Sequence, residues 1–365
     1  MHDLDTHAIP RHEHLDVTGL HRVSRFGWLR FRELGAFLWP HPHSKGGEPL
    51  KGADKETVQR KAAHRLVQRW AERRWVIQRQ LPAQGGIAVV LSASGARYVQ
   101  SRLRTPIRSG ENWGRASGGT WSPPSSWEHE LLITIFLTRF WRQGFEIKTE
   151  LEIRSENAGQ FKIPDGLVLY RPVSPQDRPA IYWVEMESAE KAGKKMLALA
   201  STVTVIHRGS APCLSGWSPT NAMLAFRSDH LDLSGKPIDH KLRIRSAVGK
   251  HIGASVDVTF AELEIKNAAY HLGDIHVSAE TIDPVSSDPS ELNFAGRRFH
   301  SNAIGSYELT CIDRKGDPWT LKVCKSQDRF RWQIWDATKE RASFHIERLE
   351  DAFRVVVERW RRDFL

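Results

Sequence analysis

Three carboxylates set the chemistry this chain could perform. Asp165 follows Pro164 in an apolar run from Ile163 to Tyr170, and Glu185 and Glu187 close a second run that begins at Ile181. The segment between them, residues 172–179, is rich in turn formers, so the two runs read as the strands of a hairpin. Pairing them brings Asp165 beside Glu185 and Glu187. Like charges that close raise one another's pKa, and a divalent cation is the usual remedy. Oxygen donors suit Mg2+ or Mn2+ better than Zn2+. The stretch therefore predicts a hard-metal site with Asp165, Glu185 and Glu187 as metal ligands.

Each acid also has a structural reading. Asp165 precedes Gly166 and would suit a turn, and two acids spaced by two would mark one face of an exposed edge strand. Against that, Val184 and Met186 alternate with the glutamates as apolar neighbours.

Two regions flank this stretch. The 365 residues carry a net charge of +10, and the excess is local. Residues 1–126 hold 20 Lys and Arg against 10 Asp and Glu, whereas the remainder balances at 33 against 33. A basic module followed by a neutral one points to a polyanion-binding module, and nucleic acid is the obvious polyanion. No run approaches the ~18 apolar residues of a membrane helix. The polar first residues do not read as a signal peptide. Cys213, Cys311 and Cys324 are odd in number and lack ligand spacing, which predicts a reducing, cytoplasmic setting.

Residues 1–24 show no periodicity and read as a loose tail. From Phe26 to Pro40 the apolar spacing is helical. Asp54 suits an N-cap for a long amphipathic helix to about Arg74, with Val58, Ala62, Leu66 and Trp70 inward and Arg60, Lys61, Arg65 and Arg69 outward. A hairpin at 76–91 and a helix from about Ser94 follow. This order over residues 25–103 resembles a winged helix-turn-helix. The resemblance implies a basic helix in the major groove, with Arg60, Lys61, Arg65 and Arg69 as DNA-binding residues.

Residues 104–126 read as a Gly/Ser/Pro-rich linker. A helix then opens at Ser125, with Glu128 in capping-box spacing, and should bury Leu131, Leu132, Ile135, Phe136 and Phe140. A strand is predicted at 145–154, then the hairpin, a basic helix from Ser188, a strand at 222–227, a helix at 240–251 and a strand at 256–260. That is a mixed α/β sandwich over 127–265. Residues 266–365 read as a small antiparallel sheet ending in an amphipathic helix at 344–364, for packing or assembly.

A helix bearing an acid, a three-stranded meander with Pro-Asp on its second strand and Glu-x-Glu on its third, then α-β, resembles the PD-(D/E)XK nuclease superfamily. With a winged helix in front, the chain is similar to the replication-relaxation family of plasmids and mobile elements. The resemblance implies Asp165 and Glu185 as metal ligands and Glu128, or Glu130, as an additional catalytic acid. It departs at the third position, where Lys is usual and Glu187 stands. Lys191, four residues on, would supply the missing cation, with Lys194 a weaker substitute.

The expectation is a Mg2+- or Mn2+-dependent DNA endonuclease with Glu128, Asp165, Glu185, Glu187 and Lys191 as catalytic residues. It would act in a mobile element, plasmid or defence system, as a homodimer or with a mobile-element partner protein. The alternative is an inactive nuclease-fold regulator or replication accessory protein that binds DNA.

Overall fold

The computed structural model describes residues 11–44, 47–117, 120–156, 162–172, 179–187, 194–231, 238–250, 252, 254–284, 291–294, 297–301, 306–312, 318–326, 329–335 and 340–346. These form a mixed α/β structure in two compact units, 1–284 and 285–365. Among the described residues, no helix is long and apolar enough to cross a membrane.

The first unit begins with α1 (Arg11–Phe26), β1 (Trp28–Arg30), α2 (Phe31–Leu38), α3 (Gly52–Glu72), β2 (Val76–Gln80), β3 (Ile87–Leu91) and α4 (Ala93–Leu103). The strands form a sheet of order β1-β3-β2. Two expectations are corrected here. The supposed tail becomes helical at Arg11, because Val17, Leu20 and Val23 bury a stripe at helical spacing. The predicted helix from Phe26 is instead a short strand and a short helix, separated from α1 by Gly27 at φ +79°.

Helix α3 also sits in a different phase from the one expected. Gln59, Ala63, Leu66, Val67 and Trp70 face inward, whereas Val58 is exposed. Gln59 can be buried because its amide donates to Trp39 O at 2.6 Å. The helix starts at Gly52 after Lys51, so Asp54 lies inside its first turn and not at the cap.

The 104–126 region contains a small hairpin, β4 (Arg115–Ser117) and β5 (Thr120–Ser122). Trp113 and Trp121 pack against the main core, so this segment is more than a spacer.

Next come α5 (Trp127–Arg142), β6 (Glu146–Thr149), α6 (Glu150–Glu156), β7 (Gly166–Tyr170), β8 (Ala180–Glu187), α7 (Lys194–His207), β9 (Asn221–Arg227), α8 (His240–Gly249), β10 (Val256–Ile265) and β11 (Leu272–Ile282). Their sheet runs β11-β10-β9-β8-β7-β6. Strands β8, β9 and β10 are parallel neighbours, and the flanking pairs are antiparallel. The five apolar residues expected to be buried on α5 are buried. The predicted strand at 145–154 breaks after Thr149, which caps α6 by accepting from the Glu152 N–H at 3.3 Å. Strand β11 extends this sheet to Ile282, past the expected boundary at 265.

Side chains alternate across the sheet. Val184, Met186, Met223 and Ala225 join α5 and the amino-terminal elements in one core. Trp183, Leu167 and Leu224 join Leu199, Val203 and Ile244 of α7 and α8 in a second. The first core is continuous with the basic region, and polar ties reinforce it. Arg25 donates to Glu152 at 2.5 Å and to Ile147 O at 2.8 Å, and buried Arg30 donates to Ala269 O at 2.9 Å.

The second unit is an antiparallel meander of β12 (Glu291–Phe294), β13 (Arg297–Ser301), β14 (Ser306–Ile312), β15 (Pro318–Ser326), β16 (Arg329–Trp335) and β17 (Glu340–Ile346), paired in chain order. Residues 344–346 belong to β17, where a helix was expected to begin; 347–364 lie outside the described residues.

Candidate functional site

The end of β8 carries Glu185 and Glu187, at the carboxyl edge of the parallel strands, where ligands of open α/β sheets usually bind. Trp183, Glu185 and Glu187 share the face toward α7, and Val184 and Met186 share the other. Glu185 is 4% exposed and Glu187 2%.

Asp165 lies just before β7, not inside a longer strand. Its N–H donates to Val184 O at 3.1 Å, which continues the β7–β8 pairing by one residue. Its Oδ2 accepts from Met186 N–H at 2.7 Å, so the side chain reaches across the end of β8. Gly166 permits this bend next to α5: a Cβ there would stand 2.9 Å from Leu137 Cδ1.

Two residues unnoticed in the sequence complete the arrangement. His129 Nε2 lies 3.1 Å from Asp165 Oδ1 and donates to it in the tautomer with its proton on Nε2. Lys162 Nζ pairs with Glu185 Oε2 at 2.9 Å, while Trp183 Nε1 donates to Glu185 Oε1 at 2.7 Å. Burial pushes the Glu185 carboxyl above its ordinary pKa, Lys162 opposes the shift, and the charge of Asp165 adds to it. Asp165 and Glu185 are therefore electrostatic neighbours, as their spacing predicted.

The first turn of α5 distributes three polar side chains, about 100° apart around the axis. His129 turns to Asp165. Glu128 pairs with Arg227 of β9 at 3.0 Å, and Arg227 also holds Asp229 at 2.8 Å. Burial and a hydrogen bond with Glu128 push the Tyr270 hydroxyl up to about 12. Glu130 accepts from Trp28 Nε1 at 2.8 Å, Trp113 Nε1 at 3.0 Å and Ser126 Oγ at 2.6 Å. Glu130 thus braces α5 against the amino-terminal elements. The capping box does not form: Ser126 is the N-cap and makes no side-chain cap bond.

Lys191 lies outside the described residues, and Lys194 opens α7. Among the described residues, no group of three or more His, Cys, Asp and Glu side chains is placed to hold a metal ion. Asp165 and Glu185 nonetheless offer the donors a hard cation takes. Both are hard oxygen donors, and the Glu185 carboxyl is raised in pKa by burial, against Lys162, with the charge of Asp165 adding to the rise. Mg2+ commonly needs only one or two carboxylates, its remaining positions going to water and phosphate.

On α3, Arg60, Lys61 and Arg65 are exposed and, with Phe31 and His64, line a shallow pocket of about 350 Å3. Arg69 is more than half exposed on the same helix, and it and Arg73 each lie 3.3 Å from buried Asp16 of α1. No family model, curated protein or solved structure matches the chain.

Proposed function

We propose that the chain is a DNA endonuclease that hydrolyses phosphodiesters with Mg2+ or Mn2+, directed to DNA by a winged helix. The neighbouring carboxylates Asp165 and Glu185, with Lys162 beside Glu185 at the carboxyl end of parallel strands, carry this reading. The order α5-β6-α6-β7-β8-α7-β9, a helix and an antiparallel β6-β7-β8 interrupted by α6, supports a PD-(D/E)XK-like domain, and α1 to α4 with β1-β3-β2 support a winged helix.

Asp165 and Glu185 would hold the cation. When bound, it would supply Lewis acidity toward a phosphate oxygen and lower the pKa of a water. His129 fixes the carboxylate plane of Asp165. Lys162 would face the negative charge that grows on the phosphate, the role expected of Lys191. Glu187, buried two residues beyond Glu185, would take the proton of the attacking water. Arg60, Lys61 and Arg65 would contact DNA phosphates and bases.

The second reading is an inactive, DNA-binding member of the same fold. It is favoured by Glu187 in the usual Lys position and by the protein partners already present on Asp165 and Glu185. Plasmid cleavage across a divalent-metal series decides between them. Cutting by wild type that is lost in Glu185→Gln supports the enzyme, and DNA binding without cutting under every metal supports the regulator.

A further inference from the structure

A second cavity, of about 510 Å3, opens on the face of the large sheet that α5 covers. Tyr170, at its wall, ends β7, whereas Asp165 precedes that strand's first residue, which separates the two by roughly 17 Å along the strand. Tyr182, also lining the cavity, points to the opposite face from Glu185. This cavity is thus distinct from the acidic site in both face and end.

Its walls are chiefly rings and apolar chains. Phe140 and Phe145 stand 5.2 Å apart edge-to-face, Phe145 and Tyr170 lie 5.5 Å apart, and Met223 and Tyr182 also line the cavity. Gln143, Thr259, the carboxylate of Asp274 and the ring of His276 add polar groups, and one arginine reaches it. Arg139, on the last turns of α5, lines the cavity, and its Nε is buried without a hydrogen-bond partner. Arg142, one turn on, is held below the usual arginine range by burial and then by Arg139, so positive charge here is crowded.

We infer that this cavity binds a planar aromatic molecule carrying an anionic group, its ring among Phe145, Tyr170 and Tyr182 and its anion on Arg139. The volume falls within the usual range for small-molecule sites, and aromatic walls with one convergent cation match that ligand chemistry. Free nucleotides and aromatic carboxylates share it.

Isothermal titration of the full chain with adenosine 5′-monophosphate, and separately with anthranilate, tests the assignment and distinguishes the two sources. At least one probe should bind one-to-one. Arg139→Met should weaken it by at least about tenfold, the loss of one charge-assisted hydrogen bond. Tyr170→Ala, at a partly exposed ring, should weaken it with an unchanged melting curve. Glu185→Gln and Arg65→Glu should leave binding intact, which separates this cavity from the proposed nuclease and DNA sites. Binding of neither probe overturns the inference. So does equal affinity in Arg139→Met, or loss of binding in Glu185→Gln or Arg65→Glu.

Discussion

Lys162 Nζ lies 2.9 Å from Glu185 Oε2, so an ammonium reaches this carboxylate from upstream of the strand pair. The sequence suggested the opposite side, at Lys191. Lys162→Met should lower the single-turnover rate of plasmid nicking by about 10²–10³, the usual loss when one stabilising donor is removed. Its side chain is about two-fifths exposed, so the fold should survive. Lys191→Met should retain most activity. The reverse pattern would return the role to Lys191.

Glu185 titrates above its ordinary value in the folded chain, chiefly because it is buried. The native state therefore holds this proton more tightly than the unfolded state. Stability falls as pH rises from the ordinary glutamate value through the raised one. Glu185→Gln should melt higher than wild type at neutral pH, and the advantage should disappear below about pH 4.5. Thermal melts from pH 4 to 8 give the answer, and a variant that melts lower at neutral pH would contradict it.

His21 behaves in the opposite sense. Burial, then Arg25 and Arg22, lower it from 6.5 to about 4. Its stabilising contribution is complete above pH 6.5 and declines as pH falls toward 4, because only the unfolded chain takes up the proton in that window. The loss is about 3 kcal/mol at most. Its Nδ1 is buried without a partner, so His21→Leu should be tolerated. Denaturant melts should show the variant losing less stability than wild type between pH 6.5 and 4. Parallel losses would place the acid sensitivity elsewhere.

The basic helix divides by partner. Lys61→Glu or Arg65→Glu should weaken duplex binding and flatten its log–log salt dependence by about one unit for each phosphate that the helix no longer neutralises. Arg69→Ala should instead lower the melting temperature, since Arg69 serves Asp16. Fluorescence anisotropy at several salt concentrations, beside melts, separates the two. An unchanged salt slope in Arg65→Glu would remove α3 from the interface.

Arg30 and Glu33 are paired at 2.6 Å, with both side chains under a tenth exposed. Arg30→Met leaves a buried carboxylate without its partner and should cost about 3–5 kcal/mol. Arg30→Met combined with Glu33→Gln should recover part of that loss. Urea titration of the single and double variants measures the recovery, and strict additivity would deny the coupling.

The sequence revealed elements wherever periodicity was strong and local. Helix α5, the hairpin β7–β8, strands β9 and β10 and the carboxyl-terminal meander all follow from alternation or helical spacing. The phase of α3 was hidden because Gln59 is buried by a bond to a residue twenty positions away, which no local pattern encodes. Strand β11 was missed for a similar reason. It is an edge strand whose side chains are nearly all exposed or partly exposed, so its apolar pattern is weak. At the site, the acids stood out through their odd place in apolar runs. His129 and Lys162 did not, because each gains its meaning only from a partner across the fold. Glu128, with Glu130 as its substitute, matched the acid position of the resemblance; Glu128 pairs with Arg227, and Glu130 accepts from two indoles and a serine.

The ties of Arg25 to Glu152 and of Arg30 to Ala269 join α1 and β1 to α6 and to the loop before β11, within one compact unit that also holds α3 and β8. A hinged two-module nuclease would cut across a spread of positions around its target. If the proposed nuclease activity holds, a unit tied in this way would work as a caliper: the offset between the base pairs contacted by α3 and the bond that is broken would be one constant number, visible as a single sharp band on a sequencing gel.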